Sequence, residues 1–190
     1  MLGYADDHAP LQPEAEAEIL RACFAASVHV GTEATRARLS IPPTQVLHVA
    51  AHGKHNLEQP QLSEISLADG AVYADDLLQY DLGYEMVTLS ACETGLCYAS
   101  GGDELIGLGR GFLYAGADAL VTSLWRVADQ FTAQFMQVFY GELHGGAAKT
   151  AALRRAQSAL RDDRVDLHPA FWGAFQLMGN AEPLSHHIVF

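Results

Sequence analysis

Two apolar runs, each stopping at a reactive side chain, constrain this chain more than any other feature. The first reads Val-Leu-His-Val-Ala-Ala-His-Gly over residues 46–53, the second Val-Thr-Leu-Ser-Ala-Cys-Glu-Thr-Gly over 87–95. Short continuous apolar runs bounded by turn residues predict buried strands of a parallel sheet. The carboxyl ends of such strands share one edge, where α/β folds bind their ligands. His52 and Cys92 stand at the ends of the two runs. Leaving neighbouring strands at that edge, they would face each other as a proton acceptor and a thiol nucleophile.

The remaining sequence alternates helical and extended patterns. Residues 1–12 read as a strand remnant or loop. Pro13 opens an acidic first turn and a helix, and Ser27–Val30 predicts a short strand. Thr32 is a candidate cap for a second helix beginning at Thr32–Thr35, which Pro42 and Pro43 end. Residues 53–63 read as a loop and 64–70 as a hairpin or short strand. A helix is predicted over 73–80, a glycine-rich loop after Cys92, a helix over 103–115 and a third buried strand over 117–124. Helices over about 131–143 and 147–161 and a closing strand over 171–178 complete the pattern. Strands alternating with helices predict a three-layer α/β/α domain with a mainly parallel sheet. With no repeat and no linker, 1–190 read as one domain, residues 1–12 and 185–190 being peripheral.

Bulk properties exclude several functions. An apolar fraction of 49% over 190 residues suffices for one core. A formal net charge of −12 argues against a nucleic-acid surface. No apolar run approaches the roughly 20 residues of a membrane helix, and the first residues lack the pattern of a signal peptide. Three cysteines, Cys23, Cys92 and Cys97, do not close into a disulfide set. A reducing, cytoplasmic setting follows as the expectation.

His48, His52 and His55 invite a metal reading. On a strand, however, residues four apart lie roughly 13 Å apart, too far to share an ion. The helical HExxH pattern is absent, because Gly53 ends the run and no Glu follows His48. No metal and no cofactor is expected. His48, in mid-strand, reads as a packed or backbone-bonded histidine. His52 has a glycine behind it, which lets backbone N–H approach a ligand closely. Cys92 stands where the apolar run gives way to polar residues and glycine. A thiol of pKa about 8.5 needs a neighbouring base to attack at neutral pH. His52 would be that base, and the N–H groups of Gly53 and Cys92 would form an oxyanion hole.

The strings Leu-His-Val-Ala-Ala-His-Gly (47–53) and Leu-Ser-Ala-Cys-Glu-Thr-Gly (89–95) resemble the His and Cys motifs of CHAT domains, caspase-like peptidases related to separase. The resemblance continues through Gly102–Gly116, Ser123–Asp129, Phe139–Tyr140, Ala151–Leu160 and His168–Phe175 in the family's order, covering roughly residues 10–184. It implies a caspase-like fold and a dyad of nucleophile Cys92 and base, then acid, His52, with Gly53 and Cys92 N–H groups as oxyanion donors. The activity implied is a cysteine endopeptidase acting on protein or peptide substrates through an acyl-enzyme. The alternatives are a catalytically idle caspase-like interaction module and, more distantly, a thiol amidase.

The segment Trp125–Asp129 is similar to the separase-like loop that offers an acidic floor to a basic P1 residue, making Asp129 and Trp125 candidate substrate contacts. Arg126 departs from that pattern, which has an acid there, so strict basic preference is not implied. Asp129 reads equally as a helix cap, and Trp125 as a core aromatic. Asp103 and Glu104 read as helix caps, and Lys149, Arg154, Arg155, Arg161 and Arg164 as a solvated face. A regulatory repeat domain or partner protein is compatible with the family, and the oligomeric state is open.

Overall fold

The computed structural model describes residues 1–5, 13–40, 45–56, 58–90, 106–163 and 167–185. Nine strands and six helices appear among them. Six strands form the main sheet: β1 (Leu2–Gly3), β2 (His29–Val30), β3 (Val46–Ala50), β7 (Met86–Leu89), β8 (Ala119–Ser123) and β9 (Phe175–Gly179). Their order is β2-β1-β3-β7-β8-β9. Every pairing is parallel except β8–β9. A second sheet of β4 (Gly53–Lys54), β5 (Glu64–Leu67) and β6 (Gly70–Tyr73) is antiparallel in that order. The mainly parallel sheet with helices on both sides is the caspase-like α/β/α architecture expected from the sequence.

The strands divide their side chains between two cores. Leu47, Val49, Val87, Leu89 and Leu120 face one cluster, which also holds Leu77 of α2 (Ala74–Leu77) and Leu108 and Phe112 of α3 (Ile106–Tyr114). Met86, Ala119 and Val121 face the other, built on α1 (Pro13–Cys23), α4 (Asp129–His144) and α5 (Lys149–Asp163). Phe135 of this second cluster stacks on Phe175 with ring centroids 3.8 Å apart, securing the antiparallel β9.

Helix α3 approaches its neighbours through alternate glycines. A Cβ on Gly111 would stand 2.8 Å from the Ala74 carbonyl oxygen, and one on Gly109 would stand 2.9 Å from Leu120 Cδ2. One glycine thus admits the backbone of α2 and the other the sheet. By contrast, nothing lies within 4 Å of a Cβ built on Gly141 in α4.

Several local expectations are corrected. The segment around Thr32 forms two 3-10 turns, Gly31–Glu33 and Arg36–Ser40, and Thr32 lies inside the first, whose cap position is Val30. Residues 53–63, expected as a loop, contribute β4, whose partner lies ten residues on in the hairpin β5–β6. Helix α2 is one turn, its start held by the Tyr73 N–H donating to Asp76 Oδ2 at 3.0 Å. The last expected strand begins late: Phe171 and Trp172 belong to α6 (Pro169–Trp172), and only 175–179 pair with β8. Leu2 and Gly3, from a stretch expected to be peripheral, run between β2 and β3, with Leu2 buried.

Lys149 is the clearest departure from the expected solvated face. It is only 1% exposed, and its Nζ donates to the Glu182 carbonyl at 3.0 Å. Arg154, Arg155 and Arg161 are exposed as expected, while Arg164, Asp103 and Glu104 lie outside the described residues. Burial pushes the Lys149 amine below its ordinary value, against a counter-pull from Glu85, Asp118 and Glu182. These carboxylates cluster with Lys149 at the amino-terminal edge of β7 and β8, opposite the edge where His52 follows β3.

Replacing Gly111 by Ala should lower stability by about 1–3 kcal/mol in urea denaturation, the backbone clash exceeding the helical preference of alanine. The Gly141→Ala substitution, in open space, should instead raise it by up to about 1 kcal/mol. For Lys149 the sign is set by a depressed folded value: above it, the unfolded chain binds more protons, so stability rises with pH up to the ordinary lysine value of about 10.4. Denaturation across the pH range just below that value should therefore show the wild type gaining stability relative to Lys149→Met.

Candidate active site

The sheet brings the two motif strands side by side. β3 and β7 are adjacent and parallel, with Val46 opposite Met86, His48 opposite Thr88 and Val49 opposite Leu89. The Ser90 N–H donates to the Val49 carbonyl at 2.8 Å, extending the pairing beyond β7. β8 follows on the other side of β7. The carboxyl ends of β3, β7 and β8 therefore share one edge. His52, the segment after Ser90 and the loop after Ser123 all leave from it.

His52 occupies the junction between the two sheets and is nearly buried, at 9% exposure. Its carbonyl accepts from the Ser66 N–H at 2.8 Å, which pins its backbone to the β5 hairpin. This bond sets the ladder. In an antiparallel pair, alternate residues exchange hydrogen bonds. With His52 bonded to Ser66 and Gly53 opposite Ile65, the N–H of Gly53 is turned away from β5. Gly53 thus offers a backbone donor on the open side of β4, directly beside His52.

The loop after β8 is held where it leaves the strand. The Leu124 N–H donates to the Ala174 carbonyl at 2.7 Å, and the Trp125 indole N–H donates to the Ala170 carbonyl at 2.6 Å. Trp125 packs on the second core, and Phe131 lies against Phe171 with ring centroids 4.6 Å apart. The indole thus has a structural anchor while remaining part-exposed. Asp129 is half-buried and is the first residue of α4, whose cap position is Ala128. A carboxylate in the first turn is favoured by the helix dipole whatever else it does. Arg126 beside it is exposed.

Cys92, Glu93 and Cys97 lie outside the described residues. Cys23 is part-buried on the second core as expected for a helix residue, and burial pushes its thiol above the ordinary value. Among the described residues, no group of three or more His, Cys, Asp or Glu could hold a metal ion. No helix among them is long and apolar enough to cross a membrane.

Beneath this edge lies a polar cluster that sequence reasoning missed. His48 is buried, yet its partners are side chains, not backbone. Its Nδ1 is 2.8 Å from the Tyr140 hydroxyl, and its Nε2 is 3.0 Å from Glu16 Oε2. The Tyr140 hydroxyl lies 2.9 Å from Thr88 Oγ1, and Ser90 Oγ donates to Glu16 Oε1 at 3.1 Å. Burial pushes the Tyr140 phenol far above its ordinary value, so it remains a donor at any physiological pH. The available signal was parity: His48, Thr88 and Ser90 are the polar residues of two otherwise apolar runs. Their partners sit on α1 and α4, which spacing within a strand could not identify.

The family profile described as "CHAT domain" matches residues 10–180. The chain is also similar to tetratricopeptide repeat protein 28 of Homo sapiens, 30% identical over 131 residues, which is 69% of this chain and 5% of that protein. The protein of the same name from Mus musculus is 32% identical over 121 residues, 64% of this chain and 5% of its own length. The chain thus spans about 5% of the length of these curated relatives. Strand order, motif order and the extent of the match together make this chain a member of the caspase-like CHAT domain family.

Proposed function

We propose that the chain is a cysteine-type endopeptidase domain with Cys92 as nucleophile and His52 as general base and then acid. One observation carries the reading: β3 and β7 are neighbouring parallel strands with His48 opposite Thr88. By sequence count, His52 and Cys92 each stand four residues beyond that pair. The direction of the Gly53 N–H supports its role as an oxyanion donor, with the Cys92 N–H as the second.

In this reading His52 accepts the thiol proton of Cys92, and the thiolate attacks the scissile carbonyl carbon. The oxyanion is held by the two N–H groups, whose fixed dipoles favour the developing charge. Protonated His52 gives its proton to the leaving amine. Water, deprotonated by His52, then attacks the thioester, and Cys92 leaves as the thiolate. No cofactor takes part.

Asp129 and Trp125 would border the P1 pocket, because their loop leaves β8 beside β7. A half-buried carboxylate there favours a basic P1 side chain, and Arg126 limits that preference. The substrate is a protein or peptide, and the cysteines suit a reducing, cytoplasmic setting. The curated relatives are named for tetratricopeptide repeats, which fits a repeat domain, attached or separate, working with this unit.

Replacing Cys92 by Ala should abolish labelling by an acyloxymethyl-ketone probe together with cleavage of a peptide library, and His52→Ala should reduce both by at least about a hundredfold. Labelling that survives loss of Cys92 would overturn the assignment. Labelling with no cleavage of any peptide or protein would favour the idle interaction module. The Asp129→Ala substitution should lower kcat/KM for Arg-P1 peptides by about tenfold or more relative to neutral-P1 peptides. Equal loss on both, with a lowered melting temperature, would assign Asp129 to the helix start alone.

A further inference from the structure

The cluster of Glu16, His48, Thr88, Ser90 and Tyr140 has no part in the reaction as proposed, yet four of its members are buried below the sheet edge and Ser90 is part-buried. Residues 48 and 88 are direct register partners, and a single phenol from α4 touches both. Glu16 of α1 then contacts His48 through one carboxylate oxygen and Ser90 through the other. The carboxylate thereby joins β3 to a residue already past the end of β7. A polar group in such a place is costly unless each partner is present, so the five side chains form one mutually dependent unit.

A core needing only stability would be served as well by apolar residues of similar volume. The whole face opposite shows this, with Leu47, Val49, Val87 and Leu89 in the equivalent rows. What the polar unit adds is direction. The hydrogen bond from Ser90 holds its side chain, and with it the end of the strand, against α1. Helix α1 reaches this strand exit through Glu16, which the Ser90 hydroxyl meets two residues before Cys92.

We propose that Glu16 and Ser90 are positioning residues, which orient the exit of β7 so that Cys92 is presented to His52, with His48, Tyr140 and Thr88 holding the Glu16 carboxylate in place. The proposal rests on the cysteine-peptidase reading.

The test is the rate of Cys92 alkylation by iodoacetamide in the full chain, resolved from Cys23 and Cys97 by peptide mass spectrometry. Ser90→Ala, which deletes one hydroxyl at a part-buried position, should slow Cys92 alkylation by about tenfold, as small misplacements at reacting groups do. Glu16→Ala should do the same, and Glu16→Gln, whose amide oxygen still accepts from Ser90, should recover most of the rate. Lys149→Ala, at the opposite edge of the sheet, empties a buried site and leaves the Glu182 carbonyl without its donor, so it should lower the melting temperature without slowing alkylation. Wild-type alkylation rates in Ser90→Ala would overturn the proposal, and so would equal slowing in Lys149→Ala, which would reduce the effect to stability. If Glu16→Ala does not fold, Ser90→Ala decides alone. His52→Ala separates this idea from the reading beneath it: unchanged Cys92 alkylation in that variant sinks the dyad, whereas slowing there with none in Ser90→Ala sinks only the positioning role.

Discussion

The parallel pairing of β3 with β7 is the constraint on which the rest of the structure depends. It stands in the middle of the main sheet, with two strands on one side and two on the other. A shift of one residue would exchange the buried faces of either strand. It would move His48 and Thr88 away from Tyr140 and Glu16 and drive apolar side chains into their place. The buried polar unit therefore acts as a register lock, because the Tyr140 phenol reaches both His48 and Thr88 in one alignment only.

Around that pairing, the two faces of the sheet are packed by different means. On one side, α3 lies close to the strands and to α2 because alternate glycines remove the Cβ atoms that would hold them apart. On the other, large aromatics from α4 and the terminal strand fill the space, Phe135 stacking on Phe175 and Phe139 lying 5.7 Å from Phe135. This aromatic layer also carries the Tyr140 phenol to the strand pair. Packing and polar positioning thus come from a single helix.

The small sheet has a separate role. By bonding the His52 carbonyl to Ser66, it turns the chain at the end of β3 and directs the next N–H outward. A histidine in an ordinary loop would have no such fixed neighbour. The loop after β8 is anchored comparably, through Trp125 and Leu124 to the α6 region. Two of the segments leaving this edge are therefore held by hydrogen bonds outside the main sheet, which suits a site that must keep its geometry while substrate binds.

The amino-acid sequence alone determined the strands and helices that follow strong periodicity. The apolar runs that form β3 and β7, the helix opened by Pro13 and the long helices α4 and α5 were all legible, because a buried face imposes its period locally. The motif order was legible in the same way, and it sufficed to name the family. Non-local pairing was not. β4 has only two residues and exists because β5 lies beside it, and β9 starts at Phe175 because Phe171 and Trp172 are needed in a helix turn. Lys149 looked like one basic residue among several on α5 until its place beneath the Glu182 carbonyl was known. The polar partners of His48 come from residues 16 and 140, far away in the chain on two different helices. Local pattern could determine that a histidine stood in a buried strand; only the packing of α1 and α4 onto the sheet decided what it touches, because those contacts are made between segments that carry no sequence record of one another.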